Sequence, residues 1–171
     1  FEAVLQLNQY CFINKSKKED IEVYVPKHAF NEFGFSEKLD LNISHKGYVT
    51  PSPIQDQAIP EALKGHDIIG IANTGTGKTL AFAVPLLDKL IANPGSSALV
   101  MAPTRELAQQ ILDECKMLAK GSGLFGTLLI GGAPMGPQLK DLSHKPSVVI
   151  GTPGRIKDHM ERGSLNLSKF D

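Results

Sequence analysis

A chain of 171 residues, 42% hydrophobic and 21% charged, has one domain's length and enough apolar mass for a full core, which excludes a disordered polypeptide. Its 18 Lys and Arg balance 18 Asp and Glu, so no bulk basicity marks a nucleic-acid binder and any such surface has to be a local arrangement. No run approaches the ~18 apolar residues of a membrane span and no signal peptide opens the chain, while Cys11 and Cys115 lack metal-ligand spacing and read as free thiols of a reducing, cytoplasmic compartment.

Residues Phe1 to Val25 carry the patch Lys15-Ser-Lys-Lys-Glu-Asp20 without sustained periodicity, so residues 1–28 read as an extension and 29–171 as the domain. A helical segment is expected from Ala29, with Phe30, Phe33, Leu39, Leu41 and Ile43 as its apolar positions and Gly47 as its stop. After the turn Thr50-Pro-Ser-Pro53, a second helix is expected to start at Pro53, with Ile54, Ala58, Ile59, Ala62 and Leu63 making an apolar face up to Gly65. Asp67-Ile-Ile-Gly-Ile71 is a short apolar run of strand type, and Leu80-Ala-Phe-Ala-Val84 begins another helical pattern. Further strands are expected at Ser97–Met101, Thr127–Ile130 and Ser147–Ile150, separated by helices over Thr104–Ala119 and Met135–Leu142 and followed by one from Pro153 to Arg162. Alternating strands and helices predict an α/β fold, a mostly parallel sheet with helices on both faces. The first residue is Phe1, and Ser168-Lys-Phe-Asp171 has no cap or tail, so the chain is expected to be a piece of something longer.

Between the run at 67–71 and the next helix lies Ala72-Asn-Thr-Gly-Thr-Gly-Lys-Thr79. Strand, Gly-rich loop and helix in that order wrap a polyphosphate: Gly75 and Gly77 let backbone N–H groups turn inward, and the positive end of the helix faces the anion. Lys78 adds a full charge for the outer phosphates, and the Thr79 hydroxyl suits Mg²⁺ ligation. Ala72, Asn73, Thr74, Gly75, Thr76, Gly77, Lys78 and Thr79 are therefore the expected nucleotide-binding residues, Lys78 and Thr79 the candidate catalytic pair, and Thr79 the metal ligand. The pattern normally opens on Gly, and here Ala72 takes that place.

Other residues add to this chemistry. The Gln55 amide donates and accepts at once, which matches the N7 and 6-amino edge of adenine, and it starts a mostly apolar helix face where a ligand role is favoured. Tyr48 offers an aromatic face for the base and Thr50 is close enough in sequence to line the same pocket, although Tyr48 also fits ordinary core packing. Pro103-Thr-Arg105 and Thr152-Pro-Gly-Arg155 each leave a strand and open a helix, placing Arg105 and Arg155 beside helix N-termini, and Gly131-Gly132 allows close approach to the backbone. Each turn alone also reads as a capped αβ connection with a solvated arginine. Several such turns at the carboxyl ends of neighbouring strands favour a track for phosphates formed by Pro103, Thr104, Arg105, Gly131, Gly132, Thr152, Pro153, Gly154 and Arg155.

Gly47-Tyr-Val-Thr-Pro-Ser-Pro-Ile-Gln55, Ala72–Thr79, Pro103-Thr-Arg-Glu-Leu-Ala108, Gly131-Gly132 and Thr152–Arg155 occur in the order and spacing of the first RecA-like domain of DEAD-box RNA helicases, which the chain resembles over about 30–171. Departures are Asn73 and Ser52, and the family's upstream aromatic falls on Phe30, which also fits core packing. The resemblance implies a RecA-like P-loop NTPase domain, ATP and Mg²⁺ as cofactors, single-stranded RNA gripped through its sugar-phosphate backbone, and ATP-dependent RNA unwinding by a parent protein. It also implies a second RecA-like domain as partner. The acidic Asp-Glu-Ala-Asp segment would come a few residues beyond Asp171, so the fold is expected to be truncated before that strand. By itself the piece is then expected to bind nucleotide and RNA without hydrolysis. A small-molecule phosphotransferase, the competing enzyme class, leaves Gln55 and Thr152–Arg155 unexplained.

Overall fold

The computed structural model describes residues 24–170. Among them, β1 (Ala98–Met101), β2 (Gly126–Leu129) and β3 (Val148–Gly151) form a parallel sheet in the order β1-β3-β2. Parallel neighbours need crossover helices. These are α4 (Arg105–Leu118) between β1 and β2 and α5 (Met135–Ser143) between β2 and β3, the latter returning the chain to the centre of the sheet. Ala98 pairs with Val148 and Gly126 with the same residue, so all three strands run out at one level, at Met101, Leu129 and Gly151.

Three further helices precede the sheet, α1 (Glu37–His45), α2 (Pro53–Leu63) and α3 (Lys78–Ala92), and α6 (Pro153–Glu161) follows it. The period of two along β3 sends its side chains to opposite cores. Val148 and Ile150 join Ala98 and the buried faces of α1, α2, α3 and α4, including Leu39, Ile59, Leu87, Ile111 and Leu118. Val149 faces the other way, with Leu129, Ile156 of α6 and Leu165. Helices therefore cover both faces, as the alternation of elements predicts. The 3.6-residue pattern of α4 is realised at Ala108, Ile111, Leu112, Cys115 and Leu118, all buried, and Thr104 Oγ1 caps the helix by accepting from Leu107 N at 3.2 Å.

Two sequence expectations need correction. The single helix expected from Ala29 is a 3-10 turn, Phe30–Glu32, followed by the separate helix α1. Phe30, Phe33 and Phe35 form an aromatic cluster with Phe33 between the other two, its centroid 5.9 Å from Phe30 and 5.6 Å from Phe35, a convergence that one continuous helix turning 100° per residue does not produce. The amide of Ser36, just before α1, donates to Asp88 Oδ1 of α3 at 2.8 Å. The run Asp67–Ile71 is not a strand: Ile69 is 64% and Ile71 90% exposed. A strand exists only through a neighbour's ladder. Here Ile68 and Gly70 line a cavity of about 660 Å³ together with Val100 and Met101 of β1, and the run pairs with none of the three strands. The expectations for Cys11 and the Lys15–Asp20 patch fall outside the described residues.

Candidate functional site

The loop expected to wrap phosphates closes a tight turn onto the N-terminus of α3. Gly77, the residue before the helix, has φ +86°, and a Cβ there would lie 2.2 Å from Gln55 Nε2, so only glycine fits both the backbone and the contact. Lys78 Nζ lies inside the turn, donating to Ala72 O at 2.5 Å and Asn73 O at 2.6 Å, while Thr76 Oγ1 donates to Asn73 O at 2.8 Å. The ammonium is thus held over the loop's centre, where an outer phosphate would replace carbonyls as its partner. Thr79 sits in the first turn of α3, where backbone N–H groups have no intrahelical acceptor. The donor set fits a polyphosphate. For Mg²⁺ the chain offers the Thr79 hydroxyl, and among the described residues no group of three or more His, Cys, Asp or Glu is placed to hold a metal.

Gln55 is buried at 7% exposure and both ends of its amide are engaged: Oε1 accepts from Ser52 N at 2.8 Å, and Nε2 donates to Gly77 O at 3.1 Å. Ser52 Oγ donates to Thr76 O at 2.7 Å. The start of α2 is therefore stitched to the phosphate loop by two side chains, and the amide expected to read adenine is held at the base of that loop. Tyr48 lies elsewhere. Its ring packs beside Phe30, 6.1 Å between centroids, and its hydroxyl lies 3.4 Å from Glu114 Oε1; burial first, then the Glu114 charge, pushes its pKa up. Phe30 is core, only 3% exposed. Tyr48 and Phe30 line a cavity of about 750 Å³ that contains neither Gln55 nor the phosphate loop, and Thr50 is exposed.

The turns after the three strands do converge. Because β3 lies between β1 and β2, Thr152–Arg155 emerges between Pro103–Arg105 and Gly131-Gly132. Pro103, Thr104, Arg105, Gly131, Thr152, Gly154 and Arg155 line one open cavity of about 570 Å³, together with Glu106. Arg105 lies over the glycine pair: a Cβ on Gly132, whose φ is +78°, would stand 2.3 Å from Arg105 Nη1. Arg155 Nη1 donates to Ala133 O at 3.1 Å, tying the start of α6 to the same loop. Pro153 and Gly132 flank the cavity without lining it, Pro153 as the first residue of α6. Two guanidinium groups, two helix N-termini and bare glycine backbone suit an anionic chain.

Sequence reasoning missed the side chains that hold this surface in shape. Gln138 of α5 is 5% exposed, and its Nε2 donates to Ile130 O at 3.2 Å, Pro134 O at 3.1 Å and Ala133 O at 3.4 Å, the carbonyls that bracket Gly131-Gly132. Its Oε1 faces Nε2 of the fully buried His159 at 3.3 Å, which makes that nitrogen an imidazole N–H, while Nδ1 lies 2.8 Å from Ser164 Oγ, a hydroxyl that donates to His159 O at 3.0 Å. Burial first, then the positive charge of Arg155, pushes the His159 pKa down, which favours the neutral ring. Only a glutamine four residues past Pro134 hints at this in the sequence.

The family model for DEAD/DEAH box helicases matches residues 52–170, which takes in the phosphate loop and all three turns. The chain belongs to the DEAD/DEAH box helicase family. It is 43% identical over 169 residues to the ATP-dependent RNA helicase DBP2 of Candida albicans, an alignment covering 95% of this chain and 30% of that protein. It is similar to the crystal structure of a DEAD box protein from the hyperthermophile Methanococcus jannaschii, with TM-score 0.77 and 40% identity over 84% of this chain and 39% of the other. A hypothetical ATP-dependent RNA helicase from Sulfolobus tokodaii matches with TM-score 0.73 and 31% identity over 79% of this chain and 39% of that one. The sheet and its helices are thus those of a RecA-like DEAD-box domain, and the chain spans about a third of the length of the curated relative it matches. No helix among the described residues is long and apolar enough to cross a membrane.

Proposed function

We propose that this chain is the ATP-binding part of an ATP-dependent RNA helicase, gripping the nucleotide through Ala72–Thr79 and the RNA backbone through Pro103–Arg105, Gly131-Gly132 and Thr152–Arg155. The observation that carries this reading is the strand order β1-β3-β2, which gathers three separate turns and two arginines around one cavity at the sheet edge. In this reading Lys78 neutralises the outer phosphates, the α3 N-terminus meets them with backbone N–H groups, and Thr79 holds Mg²⁺ brought with the ATP. The ion supplies charge for phosphoryl transfer, and a second RecA-like domain completes the site. Of the residues expected at the adenine, Gln55 is proposed to face the base, which requires the ligand to draw its amide away from Ser52 N or Gly77 O, whereas Tyr48 and Thr50 lie away from it and take no part in this reading. A reducing, cytoplasmic setting suits the buried free thiol of Cys115.

A second reading, a nucleotide- and RNA-binding module that does not itself hydrolyse ATP, has one observation in its favour: the missing acidic cluster among the described residues. The two readings share their binding step. Lys78→Ala should weaken Mg-ATP binding by ~1.5–3 kcal/mol, the range of a charge-assisted contact, in titration calorimetry. Equal affinity of wild type and Lys78→Ala contradicts both. Phosphate release by the wild-type chain, stimulated by RNA, would reject the second.

A further inference from the structure

Asp56 is a buried carboxylate, 3% exposed, and among the described residues no helix supplies a cation to balance it. Among the described residues, its side-chain partners all come from one short stretch, Tyr24–His28. Tyr24 Oη donates to Oδ2 at 2.5 Å and Lys27 N to Oδ2 at 2.8 Å, while His28 N donates to Oδ1 at 3.2 Å and His28 Nδ1 lies 2.6 Å from Oδ1. Burial alone would raise the Asp56 pKa, but the Lys27 amide, then the Tyr24 hydroxyl and His28, outweigh it and hold the group at about 2. The stretch is anchored at its far end too, where Phe30 is core and Phe30 N donates to Val49 O at 3.1 Å. His28 stacks obliquely on Phe33, 5.4 Å between centroids.

On the other side of the Asp56 backbone is Gln55, whose amide joins Ser52 N to Gly77 O. The two residues point to different partners from the first turn of the same helix, so pulling on one turns the other. We propose that Tyr24–His28 forms a strap whose grip on Asp56 holds the Gln55 amide against Gly77, which makes Asp56 a positioning residue for the phosphate loop. Loss of the strap frees the start of α2 to shift, and the loop's last glycine loses a donor from below. The charge-assisted bonds to Asp56 are the strong links of this chain of contacts, and Gln55 to Gly77 is a neutral one. The strap therefore acts as a fixed support and Gln55 as the part that yields to a ligand.

The consequence for ATP rests on the nucleotide reading above, so the test has a readout that needs no nucleotide. In the ligand-free 171-residue chain, hydrogen exchange of the Gln55 side-chain N–H₂ and of the Ala81 amide, which also donates to Gly77 O, is followed by NMR. The double variant Tyr24→Phe, His28→Ala removes two exposed or half-exposed donors without touching the buried acid, and Asp56→Asn removes the charge. Both are expected to speed exchange at Gln55 and Ala81 about tenfold, the ratio set by ~1.4 kcal/mol. Where wild type binds Mg-ATP, the double variant should bind about tenfold more weakly, and in a Gln55→Ala background it should add no further loss. Exchange unchanged at both groups, or an affinity loss that simply adds to that of Gln55→Ala, overturns the strap. Faster exchange in the variants of a chain whose wild type binds no ATP upholds the strap and rejects the nucleotide reading instead.

Discussion

Replacing Gln138 by leucine tests whether the proposed nucleic-acid face is shaped from beneath. The side chains are close in size, so the change removes hydrogen bonds rather than volume. Leucine leaves His159 Nε2–H without an acceptor in a position of zero exposure, and deprives Ile130 O and Pro134 O of their shared donor. One buried unsatisfied donor costs about 1–3 kcal/mol, and the half-buried carbonyls together add the smaller net value of an ordinary bond, about 0.5–1.5 kcal/mol, for a central total of about 3 kcal/mol, within ~1.5 kcal/mol either way. At ~3 °C per kcal/mol for a domain of this size, the melting temperature falls by about 9 °C. Chemical denaturation gives the free energy directly. The same reasoning predicts coupling, because in Gln138→Leu, His159→Leu no N–H is stranded, so the double variant should be ~1–2 kcal/mol more stable than the sum of the singles. A single variant within 0.5 kcal/mol of wild type, or strict additivity, refutes the assignment.

Acid should destabilise the chain in two separate windows. His159 has a folded pKa below its unfolded value, so its neutral form favours the fold above about pH 6.5 and that contribution is lost as pH falls through the lowered folded pKa; His159→Gln should flatten this part of a denaturation profile. Asp56 is depressed to about 2, so its contribution is complete above its unfolded value near 3.8 and disappears between there and about 2; Asp56→Asn should remove that step. Gly132→Ala forces a side chain into φ +78° and against Arg105, and should cost ~1 kcal/mol or more while displacing the guanidinium, read as weakened RNA binding with ATP binding intact. Cys115 is buried, and burial followed by the Glu114 charge pushes its thiol up to about 11, so alkylation by iodoacetamide at pH 8 should require unfolding. Rapid labelling of the native chain would place the thiol outside the core.

The local signals in the sequence were good where the decisive contact lies within a few residues. Thr104 capping α4, Pro53 opening α2 and the Gly-rich turn before α3 are all short-range chemistry, and each is where the pattern put it. Long-range requirements were opaque. Ile68, Ile69 and Ile71 carry the composition of a strand, but strand formation depends on a neighbour that residues 67–71 do not have among the described ones. The aromatic residues from Phe30 to Phe35 fit a helical period, yet their packing against one another divides the segment. Asp56, Gln138 and His159 were invisible for the same reason: each is a polar residue on a core-facing position whose partners sit at least 21 residues away for the His159–Gln138 pair and 28 or more for Asp56. Tyr24–His28, read as extension, is bonded to the domain through that acid.

The central claim, that three strand-end turns form one track for a phosphate backbone, is tested most directly by the salt dependence of binding to a single-stranded oligoribonucleotide. Wild type is compared with Arg105→Ala and Arg155→Ala by fluorescence anisotropy over a range of KCl, with poly(U) and mixed-sequence RNA as ligands. The account predicts similar affinities for the two RNAs and a log–log slope that falls by about 0.7 for each arginine removed, one phosphate apiece on a single strand. Slopes unchanged in both variants, or a strong sequence preference that persists at high salt, would contradict it.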